Sequence, residues 1–362
     1  MTLSTYSRLA VVATFLLIIA GGLVTSTGSG LAVPDWPLSY GMLFPPMVGG
    51  ILYEHGHRMV AGAVAILTAI LGIWLWRAET RRWVRRLGLV AVVAVLLQAL
   101  LGGLTVLFLL PLPISVAHAC LGQTFFCLVV AIAVAMSPGW RAAAGRAADS
   151  EAGGSAGDSS AAADEPRRPG ADAVFPLAVA TTGAIYLQLV IGALMRHTKA
   201  ALAIPDFPLA LGRIVPPLDA PGVAIHFAHR VGALVVVALV VATAARVFRR
   251  RSDDERLASA ATLLVGLVFL QAFLGAATVW SKAAIPVATA HVAVGALVLA
   301  ASLVLSMRAG IARRGRRAAR AAHADERTAA RAAAGPDAWR EPAGARADAP
   351  AGVRAGERGS WA

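Results

Sequence analysis

"HGHRMVAGAVAILTAILGIWLW", residues 55–76, sets two histidines and an arginine directly ahead of an uncharged apolar run, 59–76. A helix of that length matches a bilayer hydrocarbon core of about 30 Å. The run is continuously apolar rather than alternating, so it reads as a helix and not as a barrel strand. Comparable runs lie at about 9–25, 56–76, 87–109, 114–136, 174–195, 224–247, 257–280 and 284–306. With 58% hydrophobic and 15% charged residues, the chain falls outside the ordinary soluble class. The first run, behind Arg8, has the look of a signal peptide, but the repeat described below gives it a counterpart, so it is kept as a retained span.

The formal net charge of +13 reports topology rather than nucleic-acid binding. Arg77, Arg81, Arg82, Arg85 and Arg86 lie between the second and third runs, and Arg246, Arg249, Arg250, Arg251 and Arg256 between the sixth and seventh. Arg141, Arg146, Arg167 and Arg168 lie between the fourth and fifth, and more arginines follow the eighth. The alternate loops carry few cations, among them Lys199, Arg213 and Lys282. The positive-inside rule then puts both termini in the cytoplasm. Cys120 and Cys127 are two helical turns apart, roughly 10 Å along a helix and too far for a disulfide.

Residues 137–173 are rich in Ala, Gly, Ser, Pro and charge and read as a flexible cytoplasmic linker. The Ala/Arg-rich tail from about 313 reads as disordered, with an amphipathic surface helix within 312–334 as a secondary option. The expected units are an N-terminal bundle (1–136), the linker (137–173), a C-terminal bundle (174–307) and a basic tail (308–362).

The two halves repeat each other. "VPDWPLSYGMLFPP" at 33–46 aligns with "IPDFPLALGRIVPP" at 204–217, and "QALLGGLTV" at 98–106 with "QAFLGAATV" at 271–279. "SVAHACLG" at 115–122 aligns with "ATAHVAVG" at 288–295, and His57-Arg58 with His229-Arg230. Each half has an even number of spans, so both units share one orientation. The expected fold is therefore an all-α integral membrane protein with eight transmembrane helices. They form two parallel-oriented four-helix bundles related by a pseudo-two-fold axis along the membrane normal.

His57 and His118 come from different helices of the first unit, and His229 and His291 from matched helices of the second. Facing histidines in a bundle core are the ligand set of a bis-imidazole heme. An interhelical hydrogen bond is the plainer reading of any one of them, and zinc on Glu54, His57 and His118 is an alternative. Gly102, Gly103, Gly122, Gly275 and Gly295 would let a flat macrocycle, or simply another helix, approach the backbone. Arg58 and Arg230 are candidates for heme propionates or for snorkelling anchors. Gln98 and Gln271, inside helices, need polar partners. Glu54 aligns with His226, and Thr25 and Ser26 with Arg196 and His197, which makes Arg196 a third propionate candidate. Glu54 stands three residues before His57, where a helix would place both on one face. Two sites of one design that differ in acid–base equipment suggest one chemical site and one supporting site. His55, opposite Phe227, has no counterpart and is read as incidental.

With "GSGLAVPDWPLSYG", "EHGHRMVAG", "AHACLGQ", "HFAHRVGAL" and "ATAHVAVG" in this order, the chain resembles the heme A synthase family over roughly 8–307, apart from the linker. That resemblance implies a bacterial plasma-membrane oxidoreductase converting a methyl group of heme O, through hydroxymethyl, to the formyl group of heme A. It implies His57 and His118 on the iron of heme O, Glu54 in the oxidation, and a b-type heme cofactor on His229 and His291. Heme O synthase and cytochrome oxidase assembly are the implied partners, with membrane lipid around the chain; the electron acceptor is left open. Some family members carry a cysteine pair in the first outer loop, whereas 26–53 has none. A di-heme b-type electron carrier and a heme or small-molecule transporter are the competing readings.

Overall fold

The computed structural model describes residues 1–151, 174–249 and 255–333. In chain order its helices are α1 (Leu3–Ser26), α2 (Gly49–Ala78), α3 (Arg82–Leu107), α4 (Leu112–Met136), α5 (Pro138–Glu151), α6 (Val174–His197), α7 (Pro221–Phe248), α8 (Glu255–Trp280) and α9 (Ile285–Ala333). Among the described residues the only β pairing is two isolated bridges, Ser39 with Met42 and Ala210 with Arg213. Among the described residues eight helices, all but α5, are long and apolar enough to cross a membrane. The chain is a multi-pass helical membrane protein.

Helix starts follow local chemistry. Proline opens α4 and α7, where its missing N–H costs nothing. The Thr2 hydroxyl caps α1 by accepting from Thr5 N at 3.2 Å. In the first half α1 packs on α2, α2 on α3 and α3 on α4, and α4 closes back on α1. The second half closes in the same way through α6, α7, α8 and α9. Leu71, Leu75, Phe125, Val129 and Ile132 form the first core, and Val240, Val247, Leu264, Leu299 and Leu305 the second. The halves meet through α1, α4, α6 and α9, where Phe126, Val130, Ala296 and Ala300 are buried together.

The repeat extends to the backbone. Left-handed residues fall at Gly28 and Lys199, at Tyr40-Gly41 and Leu211-Gly212, and at Leu109-Leu110 and Lys282-Ala283. Trp36-Pro37 and Phe207-Pro208 are both cis. Loop 27–48 is organised by Asp35, whose carboxylate accepts from Tyr40 N at 2.7 Å and Gly41 N at 2.8 Å. Asp206 does the same with Leu211 N and Gly212 N in loop 198–220. These N–H groups, the glycine's foremost, hold both carboxyls below the usual carboxylate range.

Two expectations need correction. Residues 138–151, assigned to a flexible linker, form α5, which packs on α9. Much of the tail expected to be disordered continues α9 without a break to Ala333. Alanine and arginine are among the strongest helix formers, so their abundance favours helix even where the pattern looks low in complexity. The helix foreseen within 312–334 exists as an extension of the last span. The rest of the linker, 152–173, and of the tail, 334–362, lies outside the described residues.

Candidate heme sites

All four matched histidines sit near one end of the helices, and each lies against a glycine on the neighbouring helix. A methyl group at Gly21 would come within 3.1 Å of His57 Cε1, and one at Gly192 within 3.1 Å of His229 Cε1. At Gly102 and Gly275 the corresponding distances to His118 and His291 are both 3.2 Å. The glycines therefore receive imidazoles, so at Gly102 and Gly275 it is the neighbouring helix, the second of the two readings, that approaches the backbone. Gly122 and Gly295 receive the amides of Gln98 and Gln271, and Gly103 the indole of Trp36. Gly21 and Gly192 were missed in the sequence, although they stand at matched positions of the repeat.

The His229 and His291 ring centroids are 6.4 Å apart. A metal–imidazole bond is about 2 Å long and each ring centre lies roughly 1 Å behind its nitrogen, so two rings on one iron stand about 6 Å apart. Nδ1 of His57, His118 and His291 is buried without a partner, as is Oε1 of Gln98 and of Gln271. Buried polar atoms are normally satisfied, and these are left open to a ligand. The residues fit bis-imidazole heme. They do not fit zinc: among the described residues no three His, Cys, Asp or Glu side chains gather around a metal-sized site. The alternative of zinc on Glu54, His57 and His118 falls with that.

Glu54 is buried. One oxygen takes the Arg58 guanidinium at 2.6 Å, the other the Val33 N–H at 2.8 Å. His226 has the same two partners: Ile204 N donates to its Nδ1 at 3.2 Å, and Arg230 Nε lies 3.3 Å from its Nε2. Acid and imidazole thus fill equivalent positions between loop and helix. Arg58 also donates to the carbonyls of Asp35, Leu38 and Val33, and Arg230 to those of Leu209, Ile204 and Asp206. In this structure both guanidiniums, named from sequence as propionate candidates, tie the loops down. Arg196 reaches across the halves to Gly22 O at 3.0 Å and Ser26 Oγ at 2.7 Å on α1. Beside it, Ser26 Oγ and Thr289 Oγ1 meet at 3.1 Å.

His55 is not incidental: its buried ring meets Ser39 Oγ at 2.8 Å through Nδ1. Gln188 was also missed; its amide nitrogen lies 3.0 Å from His229 Nδ1 and donates to the His229 carbonyl at 2.7 Å. The mismatch of Gln188 with Leu17 at the matched position was the available signal.

A family model described as cytochrome oxidase assembly protein matches residues 51–130 and 128–303. The heme A synthase of Symbiobacterium thermophilum is 34% identical over 249 residues, 67% of this chain and 74% of that protein. The heme A synthase of Halalkalibacterium halodurans is 28% identical over 300 residues, 80% of this chain and 91% of that protein. With the paired histidines and the repeated loops, these matches establish that the chain belongs to the heme A synthase family of cytochrome oxidase assembly proteins.

Proposed function

We propose that the two halves of this heme A synthase divide its work, the first holding substrate and the second holding a cofactor. The activity is that of an oxidoreductase acting on heme O: the C8 methyl group gains one oxygen atom to become hydroxymethyl, which then loses two hydrogens to become formyl, and two electrons pass to an external acceptor at each stage. In the proposed arrangement His57 and His118 hold the iron of heme O within residues 1–136, and His229 and His291 hold a b-type heme within 174–307. The iron porphyrins supply redox chemistry when bound; the protein supplies orientation and a site from which water is excluded.

Glu54 provides the acid–base function near the substrate. It lies one helical turn from His57, and its carboxyl group, held against Arg58 at 2.6 Å, is placed to take a proton or to stabilise developing positive charge. The observation that carries the division is the match between Glu54 and His226: both hold Arg and a loop N–H, and only the first is an acid. The arginine-rich connections favour two parallel four-helix bundles, pseudo-two-fold related, with both termini in the cytoplasm of a bacterial plasma membrane. Arg58, Arg230 and, at the seam between the halves, Arg196 are the proposed partners of the heme propionates. Heme O synthase is the proposed donor of substrate, and cytochrome oxidase assembly receives the product.

The test is chromatography of hemes extracted from cells expressing the chain with and without a source of heme O. Heme A or its hydroxylated precursor, appearing only with that source, supports the reading. Heme B alone in both cultures overturns it in favour of an electron carrier.

A further inference from the structure

We propose that the end of α2 remote from the histidines binds one anionic phospholipid, its acyl chain laid along Ile66, Ile70 and Ile73 and its phosphate on Arg77. The site is independent of the heme assignment; only the choice of leaflet, the cytoplasmic one, rests on the orientation proposed above. Its core is a cavity of about 270 Å³ lined by Ile70, Ile73, Trp74 and Arg77. Spacings of three and four residues put these side chains on one face of α2, and Ile66 extends that face by one more turn. Ile66, Ile70 and Ile73 are all exposed, so in a membrane this face meets lipid rather than protein. Roughly 30 Å of helix separates His57 from Arg77, which is the thickness of a hydrocarbon core. The guanidinium therefore stands at headgroup level, while the isoleucines run at the depth of acyl chains.

Two aromatic contacts border the bed. On the α1 side Trp74 packs on Tyr6 with ring centroids 5.7 Å apart, and the Tyr6 hydroxyl donates to Leu67 O at 3.1 Å. On the α3 side Trp76 lies under the Arg85 guanidinium, whose carbon is 4.3 Å from the ring centroid. Charge at this corner is unevenly matched. Glu79 takes Arg81 and Arg141, but among the described residues Arg77 and Arg85 meet no carboxylate, and Arg85 Nε is buried without a hydrogen-bond partner. Two guanidiniums without an internal anion, beside an apolar bed open to lipid, complement a phosphodiester that carries acyl chains. A zwitterionic headgroup brings its own cation to the arginines and fits less well. The repeat supplies the contrast: Ala238, Ala242 and Ala245 replace the three isoleucines and Arg246 replaces Trp74, while Arg249 keeps the place of Arg77. The second half retains the charge and lacks the bed.

The experiment titrates the full-length protein in detergent with dioleoyl phosphatidylglycerol or dioleoyl phosphatidylcholine and counts bound lipids by native mass spectrometry. One molecule of phosphatidylglycerol should bind ahead of all others, and phosphatidylcholine should not match it. Arg77→Gln weakens that first event about fivefold, whereas Arg249→Gln, the same charge change at the matched position, leaves it unaltered. Ile70→Ala with Ile73→Ala copies the second half and keeps the arginine. It weakens the first event as well, and it reads the site even where Arg77→Gln fails to fold. Equal binding of the two lipids, or equal losses from Arg77→Gln and Arg249→Gln, would reduce Arg77 to general interfacial charge and overturn the proposal. So would a face covered by a second copy of the chain, seen as dimers that carry no lipid and that Arg77→Gln dissociates.

Discussion

His57 rests its Cε1 edge on Gly21, leaving 3.1 Å to the position where a methyl group would stand, and His229 repeats the relationship with Gly192 at the same distance. A contact of that length forces the ring to yield by a few tenths of an ångström. A ligand imidazole has little freedom to do so, because iron and partner fix its position. Gly21→Ala is therefore expected to lower heme occupancy of the first half alone, and Gly192→Ala that of the second. The overpacking cost is about 1–3 kcal/mol. Heme content and absorption spectra of the two variants check this; equal losses from both sites in either variant would contradict it.

Gly103 and Trp36 test the same logic in the loop. A methyl group at Gly103 would lie 2.6 Å from the indole, so Gly103→Ala should destabilise the protein by about 1–3 kcal/mol. The second half shows the compensated version, with Phe207 where Trp36 stands and Ala276 where Gly103 stands. Trp36→Phe should recover most of the loss in the double variant. Thermal unfolding of the single and double variants gives the coupling; additive losses would show that the pair does not act as a unit.

Most of the architecture was legible because membrane spans depend on run length, and the repeat carried Asp, Pro, His and Gln in one order. Less visible were interactions whose partners are backbone atoms. That Arg58 serves the carbonyls of Val33, Asp35 and Leu38 depends on how loop 27–48 folds over the helix end, and no spacing rule encodes it. The histidine–glycine contacts were half visible: Gly21 and Gly192 match, but only the packing of α1 on α2 and of α6 on α7 shows what they receive. Helix α5 and the end of α9 were misread because composition was weighed above the helix propensity of alanine and arginine.

Glu54 holds the loop through Val33 N and Arg58, and the acid–base role proposed for it can be separated from that anchoring by borrowing from the second half. Glu54→His reproduces the arrangement of His226, which holds Ile204 N and Arg230. The variant should keep its loop and its heme while losing acid–base function, with heme A formation falling about 10²–10⁴-fold. Near-normal heme A yield from this variant would reduce Glu54 to a loop anchor.

At the opposite end of the helices, Glu79 between α2 and α3 binds Arg81 at 2.8 Å and Arg141 of α5 at 3.4 Å. Hydrogen bonding from Arg81, reinforced by both positive charges, lowers its carboxyl from 4.5 to about 2. A depressed folded-state value means the stabilisation is complete above pH 4.5, declines below it and is lost as pH falls through about 2. Glu79→Gln should lower the unfolding temperature at neutral pH and flatten its decline across that window. The same pH dependence in variant and parent would remove Glu79 from the account.

Ser39 and His55 form a buried polar pair at 2.8 Å where the second half has Ala210 and Phe227. Truncating one partner strands the other: Ser39→Ala leaves His55 Nδ1 buried without a hydrogen bond, a loss of about 1–3 kcal/mol. His55 Nε2 is already without a partner, so the ring has no other protein bond to fall back on. Replacing both partners by apolar groups removes the need for the bond, and such exchanges are nearly neutral when shape is kept. Ser39→Ala with His55→Phe copies a combination that the repeat already accommodates, with Ala210 buried in the equivalent loop. The double variant should therefore unfold at a higher temperature than Ser39→Ala alone. A double variant less stable than the single one would mean that His55 is held for a purpose other than this bond.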